Sequence, residues 1–323
     1  MKLIFSAFYF FIGILIGGCH PLTSESNPMP IESGTALNSP STGLINTGDK
    51  QAVVQAYNNW YSKVSVGLNF SGNVSTCNAG TTTVNFQESV VDRINFYRAM
   101  VGLNSAVLFP NQFNNNKAAL MMDANHSLNH NPPSTWLCYS SEGAASAGTS
   151  NLTLGVSGRE AIDLYMDEPG GANSMVGHRR WLLYPPQSKF STGDTPNSNS
   201  LGVFFTAQNS IPSDLKFVAW PSAGFFPIKL LPISNRWSFS SLKLGNIAQA
   251  TVSMKNLKTG QNIPVSLEPY FVGYGSDTLA WRTDGLNAGT LVQETTFQVT
   301  ISNIQDAGVI KSYNYNVIAF PVN

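Results

Sequence analysis

The apolar residues change period near residue 230, and that change limits the folds open to this chain. Upstream, several segments repeat apolar residues every three or four positions. Downstream there is no long helical pattern. Alternate-residue patterns take over in Trp237-Ser238-Phe239 and in residues 250–254, 262–265, 278–281, 296–301 and 312–320, with Gly, Asn and Pro between them. A period of two points successive side chains to opposite faces of a strand, and a period of 3.6 lines one face of a helix. The succession predicts an α+β chain. Its second part reads as a small β-sandwich, immunoglobulin-like in architecture and without a cysteine to bridge its sheets.

Upstream, residues 51–64 carry Val53, Val54, Tyr57, Trp60, Tyr61 and Val64 at helical spacing. Residues 85–102 do the same with Val90, Val91, Ile94, Tyr97, Ala99 and Val101, and Gly102 offers a stop. Arg93 and Arg98 lie off that stripe and are assigned to a solvated face. Residues 115–129 form a further helix around Ala118-Ala119-Leu120-Met121-Met122, with His130 on its last turn before Pro132-Pro133. Residues 158–168 form a short helix that ends in Asp167-Glu168, where the dipole disfavours carboxylates. A local rule-break of that kind hints at a site. Residues 177–185 (GHRRWLLYP), stopped by prolines, read as a buried strand with His178 at its entrance. Residues 189–200 read as a polar loop, and 201–205 and 215–221 as the remaining strands of the helical part.

The N-terminus bears on the compartment. Lys2 precedes an apolar run over residues 3–16, then Gly17-Gly18-Cys19. A membrane-spanning helix needs about 20 apolar residues, so the run reads as a signal sequence. Ile16-Gly17-Gly18-Cys19 resembles the lipobox of bacterial lipoproteins, in which the cysteine is acylated. The expected division is a signal peptide (1–18), a flexible tether rich in Ser, Pro, Asn, Thr and Gly (19–50), a helical domain (51–230) and a β-sandwich domain (234–323). Of three cysteines, acylation of Cys19 leaves Cys77 and Cys138 to pair in an oxidising compartment. Lysine plus arginine equals aspartate plus glutamate at 18 each, which offers no basic field for nucleic acid.

Four titratable residues stand out. His130 follows a helix, Glu142 is the one charge between Trp136 and Ser157, Glu168 ends a helix and His178 opens the next segment. His126 lies one helical turn before His130 and is set aside as facing core or solvent. In order and spacing the segments resemble the CAP superfamily, which includes the cysteine-rich secretory proteins, venom allergens and plant pathogenesis-related proteins. Asn129-His130 is similar to that family's first histidine, Ser141-Glu142-Gly143 to its Gly-Glu-Asn glutamate, residues 161–168 to its Ala-Val-x-x-Trp-Tyr-x-Glu segment and Gly177-His178 to its Gly-His-Tyr-Thr-Gln segment. Residues 93–98 resemble its first-helix Asn-x-x-Arg region. The likeness spans residues 86–227. The chain departs from the pattern at Tyr165, Gly143 and Arg179-Arg180.

The resemblance implies a CAP-type α-β-α sandwich whose cleft gathers His130, Glu142, Glu168 and His178. It implies binding or signalling ahead of catalysis. The same residues could hold zinc through His130 and His178, with the glutamates supporting the rings, and a metal-assisted hydrolase is the alternative. Residues 155–158 (GVSG) miss a serine-nucleophile elbow by one place. A structural envelope protein is the third reading. The expected location is the bacterial cell envelope, with a lipid anchor, an unknown small ligand and a host or envelope partner. The anchor is tested by Cys19→Ala, which should move the protein from the membrane fraction to the soluble one, because stable attachment rests on acyl chains.

Overall fold

The computed structural model describes residues 44–109, 114–205 and 209–322. The signal segment, Cys19 and the first residues of the expected tether lie outside the described residues. Among the described residues there are six α-helices and thirteen strands, and no helix is long and apolar enough to cross a membrane.

Helix α1 (Lys50–Ala56) begins at Asp49, whose carboxylate accepts the Gln51 and Ala52 N–H groups. It widens into a π turn over Tyr57–Tyr61. Helix α2 (Val84–Met100) is capped by Thr83. Helix α3 (Asn115–Asn125) stops earlier than its periodicity predicts, because His126 turns left-handed and the Asn125 amide binds Leu137 instead of continuing the helix. His126 and His130 therefore share no helix face. Helix α4 (Ser141–Ala147) is capped by Ser140. Helix α5 (Gly158–Asp167) follows the expected period. The segment expected as a strand opens with helix α6 (Gly177–Leu182). A short apolar run does not by itself distinguish helix from strand. Here the helix lets Arg179 and Arg180 bury their guanidinium groups on carbonyls of different segments, at 166 and at 271 and 276.

The first sheet runs in the order β1 (Val107–Leu108), β3 (Lys189–Thr195), β4 (Ser198–Gly202), β2 (Ser150–Leu154). Only the β1–β3 pair is parallel. Residues 189–200, expected as a loop, are thus the two middle strands, and nearly all are buried. Their polar side chains are matched by the layers they pack on. On one face Ser191 donates to Asn115, Thr195 to Asp123, and Gly193 lies so close to the α3 backbone that a Cβ would sit 2.0 Å from Asn116 N. On the other face Asp194 accepts the Gly158 N–H at the start of α5, and Asn199 accepts from the Tyr165 hydroxyl. Successive residues of one strand thus hold helices on opposite faces.

Two further sheets stack on each other. One has the order β10 (Val265–Leu267), β11 (Thr278–Thr283), β7 (Arg236–Ser241), β5 (Phe217–Trp220). The other has β6 (Gly224–Pro227), β13 (Val309–Phe320), β12 (Thr295–Asp306), β8 (Thr251–Asn256), β9 (Asn262–Ile263). Phe217 and Phe239 of the first meet Tyr313 and Tyr315 of the second, and Trp237 meets Phe297. Strand β5, expected in the helical part, pairs with β7, and β6 pairs with β13. A boundary between 230 and 234 therefore falls between strands of one sheet. Ile45 and Thr47, expected in the tether, are buried, and the Thr47 carbonyl accepts the Phe225 N–H.

A disulfide joins Cys77 and Cys138. Arg93 and Arg98, expected on a solvated face, are both buried. Arg98 is fully enclosed, and its guanidinium donates to the carbonyls of Asn104, Leu182, Tyr184, Pro185 and Gln187. Burial pushes its pKa down to about 9. One side chain thus replaces the absent partners of a non-helical segment, since buried carbonyls without donors are costly. Arg98→Ala should cost about 3 kcal/mol or more, since each buried carbonyl left without a donor costs roughly 1–3 kcal/mol, read as the shift in a urea unfolding curve. A loss below about 1 kcal/mol, the scale of an exposed charge, would contradict this role.

Candidate functional site

Glu168 is the centre of the site. It follows the last turn of α5 in the left-handed conformation (φ 57°), which for a residue other than glycine is strained. Donors hold it there. Arg236 donates to its carbonyl, and Ser234 donates to the Asp167 carbonyl and carboxylate. Arg179 Nε donates to the Met166 carbonyl at 2.8 Å and Arg179 Nη1 to Ser238 Oγ at 3.1 Å. The left-handed turn swings the Glu168 side chain away from α5 and onto α6.

There the carboxylate serves two partners. Oε1 accepts the backbone N–H of Arg179 at 2.9 Å, in the first turn of α6. Oε2 accepts from His178 Nδ1 at 2.9 Å. An acid at the C-terminus of α5 opposes that helix's dipole, but the same charge at the N-terminus of α6 complements it and fills an amide left free by helix geometry. This resolves the rule-break visible in the sequence. Glu168 has no solvent exposure, and the His178 side chain is about one-fifth exposed.

His178 is held on three sides. Its Nδ1 carries the proton given to Glu168, its carbonyl accepts from Asn151 Nδ2, and its ring lies 5.1 Å from the Tyr165 ring at 30°. Its Nε2 makes no hydrogen bond to protein. His130 is arranged alike. Its Nδ1 is 2.9 Å from the Ala147 carbonyl, and because a carbonyl only accepts, Nδ1 carries the proton and Nε2 keeps the lone pair. On each ring Nδ1 is fixed by an oxygen, which leaves Nε2 as the atom a metal ion would take in place of a proton. That is how supporting oxygens set the tautomer of metal-ligating histidines.

Of the four sequence-predicted residues, the structure joins Glu168 and His178 directly, while His130 and Glu142 are held by other partners. Glu142 is exposed in the first turn of α4, where an acid suits the dipole, and its partners are Ser141 and, at 3.8 Å, Lys117. Among the described residues no three or more His, Cys, Asp or Glu side chains are placed to hold one metal ion. Several positioning residues gave no signal in the sequence. Arg236, Ser234 and Ser238 lie about seventy residues beyond Glu168, in the alternating region, and nothing local marks them. The Arg179-Arg180 pair stood out in the sequence only as a departure from the CAP pattern, and the structure buries both.

The loop between β10 and β11 closes over α6 from the sandwich side. Arg180 donates to the carbonyls of Phe271 and Ser276 and lies over the Tyr274 ring. Tyr274 in turn rests beside Gly177, 3.4 Å from where a Cβ would stand.

No model of a known protein family matches the chain, and no curated protein matches it. Among solved structures, a DUF4426 family protein from Pseudomonas aeruginosa PAO1 is similar in part. It is 18% identical, covers 33% of this chain and 89% of that one, and has a TM-score of 0.22. A likeness of that size carries no functional weight.

The two histidines should titrate in opposite directions. Burial disfavours charge on His178, but the charge and hydrogen bond of Glu168 outweigh it and raise the pKa above the ordinary value. Burial lowers that of His130, the Ala147 carbonyl offsets part of this, and His178 lowers it further. The His178–Glu168 pair therefore contributes stability that is full below about pH 6.5, the unfolded value, and fades as pH rises through the folded value. His130 contributes the opposite sign, a cost that appears as pH falls below about 6.5. NMR titration of chelator-treated protein should give one imidazole midpoint on each side of about 6.5, and Glu168→Gln should lower the higher one. Two coincident midpoints would refute the arrangement.

Proposed function

We propose that this chain is an exported, lipid-anchored CAP-like protein that binds a metal ion or small ligand between His130 and His178, with an immunoglobulin-like sandwich as its second half. The observation that carries this reading is that both imidazoles have Nδ1 engaged by an oxygen, which leaves Nε2 of each as the atom available to a ligand. Neutral histidine nitrogen is a zinc ligand, and an oriented ring binds better than a free one. Zinc is the favoured ion, held by the two Nε2 atoms with water or a ligand group completing the set. Two protein ligands make a weaker site than three, so affinity should be modest. The order of the His, Glu, Glu and His segments supports the CAP likeness. The lipobox-like Ile16-Gly17-Gly18-Cys19 supports the anchor, in the bacterial cell envelope.

Binding is favoured over a metal-assisted hydrolase for a geometric reason. Both Glu168 oxygens are engaged, by His178 and by the Arg179 amide, and Glu142 is turned to Lys117. Neither carboxylate is free to act as a general base beside the histidines.

Isothermal titration of zinc into wild type, His130→Ala and His178→Ala near neutral pH tests this function. One site in the wild type and none in either variant is the expected result, with affinity falling as the histidines are protonated. Absence of zinc binding in the wild type would remove the metal. Undiminished binding in both variants would remove the site.

A further inference from the structure

A second concave site lies on the other side of α5. A cavity of about 260 Å³ opens between α5, the wide turn at residues 57–61 and the segment 228–233 that leads into β7. It contains neither His130 nor His178. Leu164, Trp220, Leu230, Leu231 and Pro232 give it an apolar wall. Its volume is below the roughly 300–1,000 Å³ of drug-sized sites, so its occupant is small.

Its polar side is built by α5. Glu160, Asp163 and Asp167 line the cavity and recur at intervals of three and four, on one face of the helix over about 10 Å. Like charges at that spacing destabilise a helix unless cations offset them. Asp163 is offset in part. Arg93 Nη1 donates to both its oxygens at 2.8 Å, and the Tyr97 and Tyr61 hydroxyls donate at 2.6 and 3.2 Å. Asp167 accepts the Ser234 N–H and lies in the field of Arg179. Glu160 is exposed at the rim, and the structure gives it neither a hydrogen bond nor an ion pair. Lys229 is the one basic side chain lining the cavity, and it too is exposed.

Asp163 is the distinctive member. About one-third of its side chain is open although three donors hold it. Burial raises its pKa, with Arg93 and the two tyrosines offsetting only part. The same burial, with the charge of Asp163, pushes Tyr61 to about 12 and Tyr97 well above its usual value, so both hydroxyls stay protonated donors. The carboxylate thus keeps about one-third of its side chain uncovered by its three donors, in a cavity whose other lining is largely apolar. Arg93 is already stacked on the Tyr61 ring, 3.6 Å from its centroid, and is not available to move. A convergent polar group with a shifted pKa in an apolar cavity marks a binding site. Here the missing component is a positive charge attached to an apolar body.

We propose that this cavity binds a small primary amine, its ammonium group against Asp163 and Glu160 and its hydrocarbon part against Leu164, Leu230 and Leu231. The site is independent of the histidine pair, although Asp167 and Glu168 adjoin at the end of α5.

The probe is 2-phenylethylamine, titrated calorimetrically into the protein, with 2-phenylethanol and 3-phenylpropanoate as neutral and anionic counterparts. Saturable one-to-one binding of the amine, with the alcohol and the acid weaker, is expected. Glu160→Gln, on the surface and outside any hydrogen bond, should weaken the amine roughly two- to fivefold, on the scale of one partly exposed ion pair. Leu164→Trp should abolish binding by filling the cavity. His178→Ala should leave it unchanged, which separates this site from the metal site. The proposal is overturned if the amine fails to saturate, if the alcohol or the acid binds as tightly, or if Glu160→Gln binds the amine as wild type does. That last variant decides the matter even if Leu164→Trp does not fold.

Discussion

The β3–β4 hairpin has a polar interior, and the helical half is arranged around satisfying it. A buried Asp, Asn, Ser or Thr is tolerated only with a hydrogen-bond partner. Asp194 finds the first amide of α5 together with Thr192 and Asn199, and Ser191 finds Asn115. Because each partner belongs to a helix or an adjacent strand, the hydrogen bonds also fix where those elements lie. Asn199 holds the Tyr165 hydroxyl, and the Tyr165 ring lies against His178. The orientation of the site histidine is thus linked through one tyrosine to the middle of the sheet. Networks of this kind specify a unique arrangement when every member is paired.

The sandwich enters the site from the other direction. Ser234 and Arg236, just before and at the start of its strand β7, supply donors that hold the left-handed turn at Glu168, and Ser238 accepts from Arg179. Arg236 is itself paired with Glu268 at 2.8 Å, so the donor to the Glu168 carbonyl is fixed from within the sandwich. Glu168 could not hold a strained conformation on its own, since such residues persist only where the surroundings over-determine them. The two halves share one apolar core, which runs from Ile45 through α2 and α5 to Val322. This differs from an arm joined by a linker, in which the helical half would carry its site unaided.

What was legible in the sequence followed from period and composition. The helix around Val90 and Ile94 and the alternation through Phe297, Val299 and Ile301 appear where their apolar residues place them. So does the Cys77–Cys138 bond. The failures share a cause. In residues 189–200 the buried side chains are polar, so a hydrophobic pattern could not reveal strands whose partners lie tens of residues away. At 177–182 the run was too short for its period to be read. Arg93 and Arg98 were misplaced for the same reason: their burial depends on Asp163 and on a row of carbonyls that only the fold assembles. Glu168 and His178, which the structure pairs, could be picked out because each is locally odd. Glu142 was odd too, but the dipole of its own helix accounts for it.

Strand β6 lies parallel to β13, with Gly224 opposite Val317 and Pro227 opposite Phe320. Parallel neighbours so far apart in sequence join only after a long stretch of chain has been gathered in, which makes closure entropically late and slow. The β6 edge also carries Phe225, whose amide is bound by the Thr47 carbonyl near the start of the described fold. The first and last described segments therefore meet on the same strand. As the polypeptide emerges from the ribosome or crosses a membrane, its helical half is present long before the segment around residue 320 arrives. During that interval β6 has an open edge and exposed aromatic side chains, the features that invite wrong pairing with other chains. A chain built this way has reason to stay unfolded, or shielded by a holdase, until its C-terminal hairpin has been delivered.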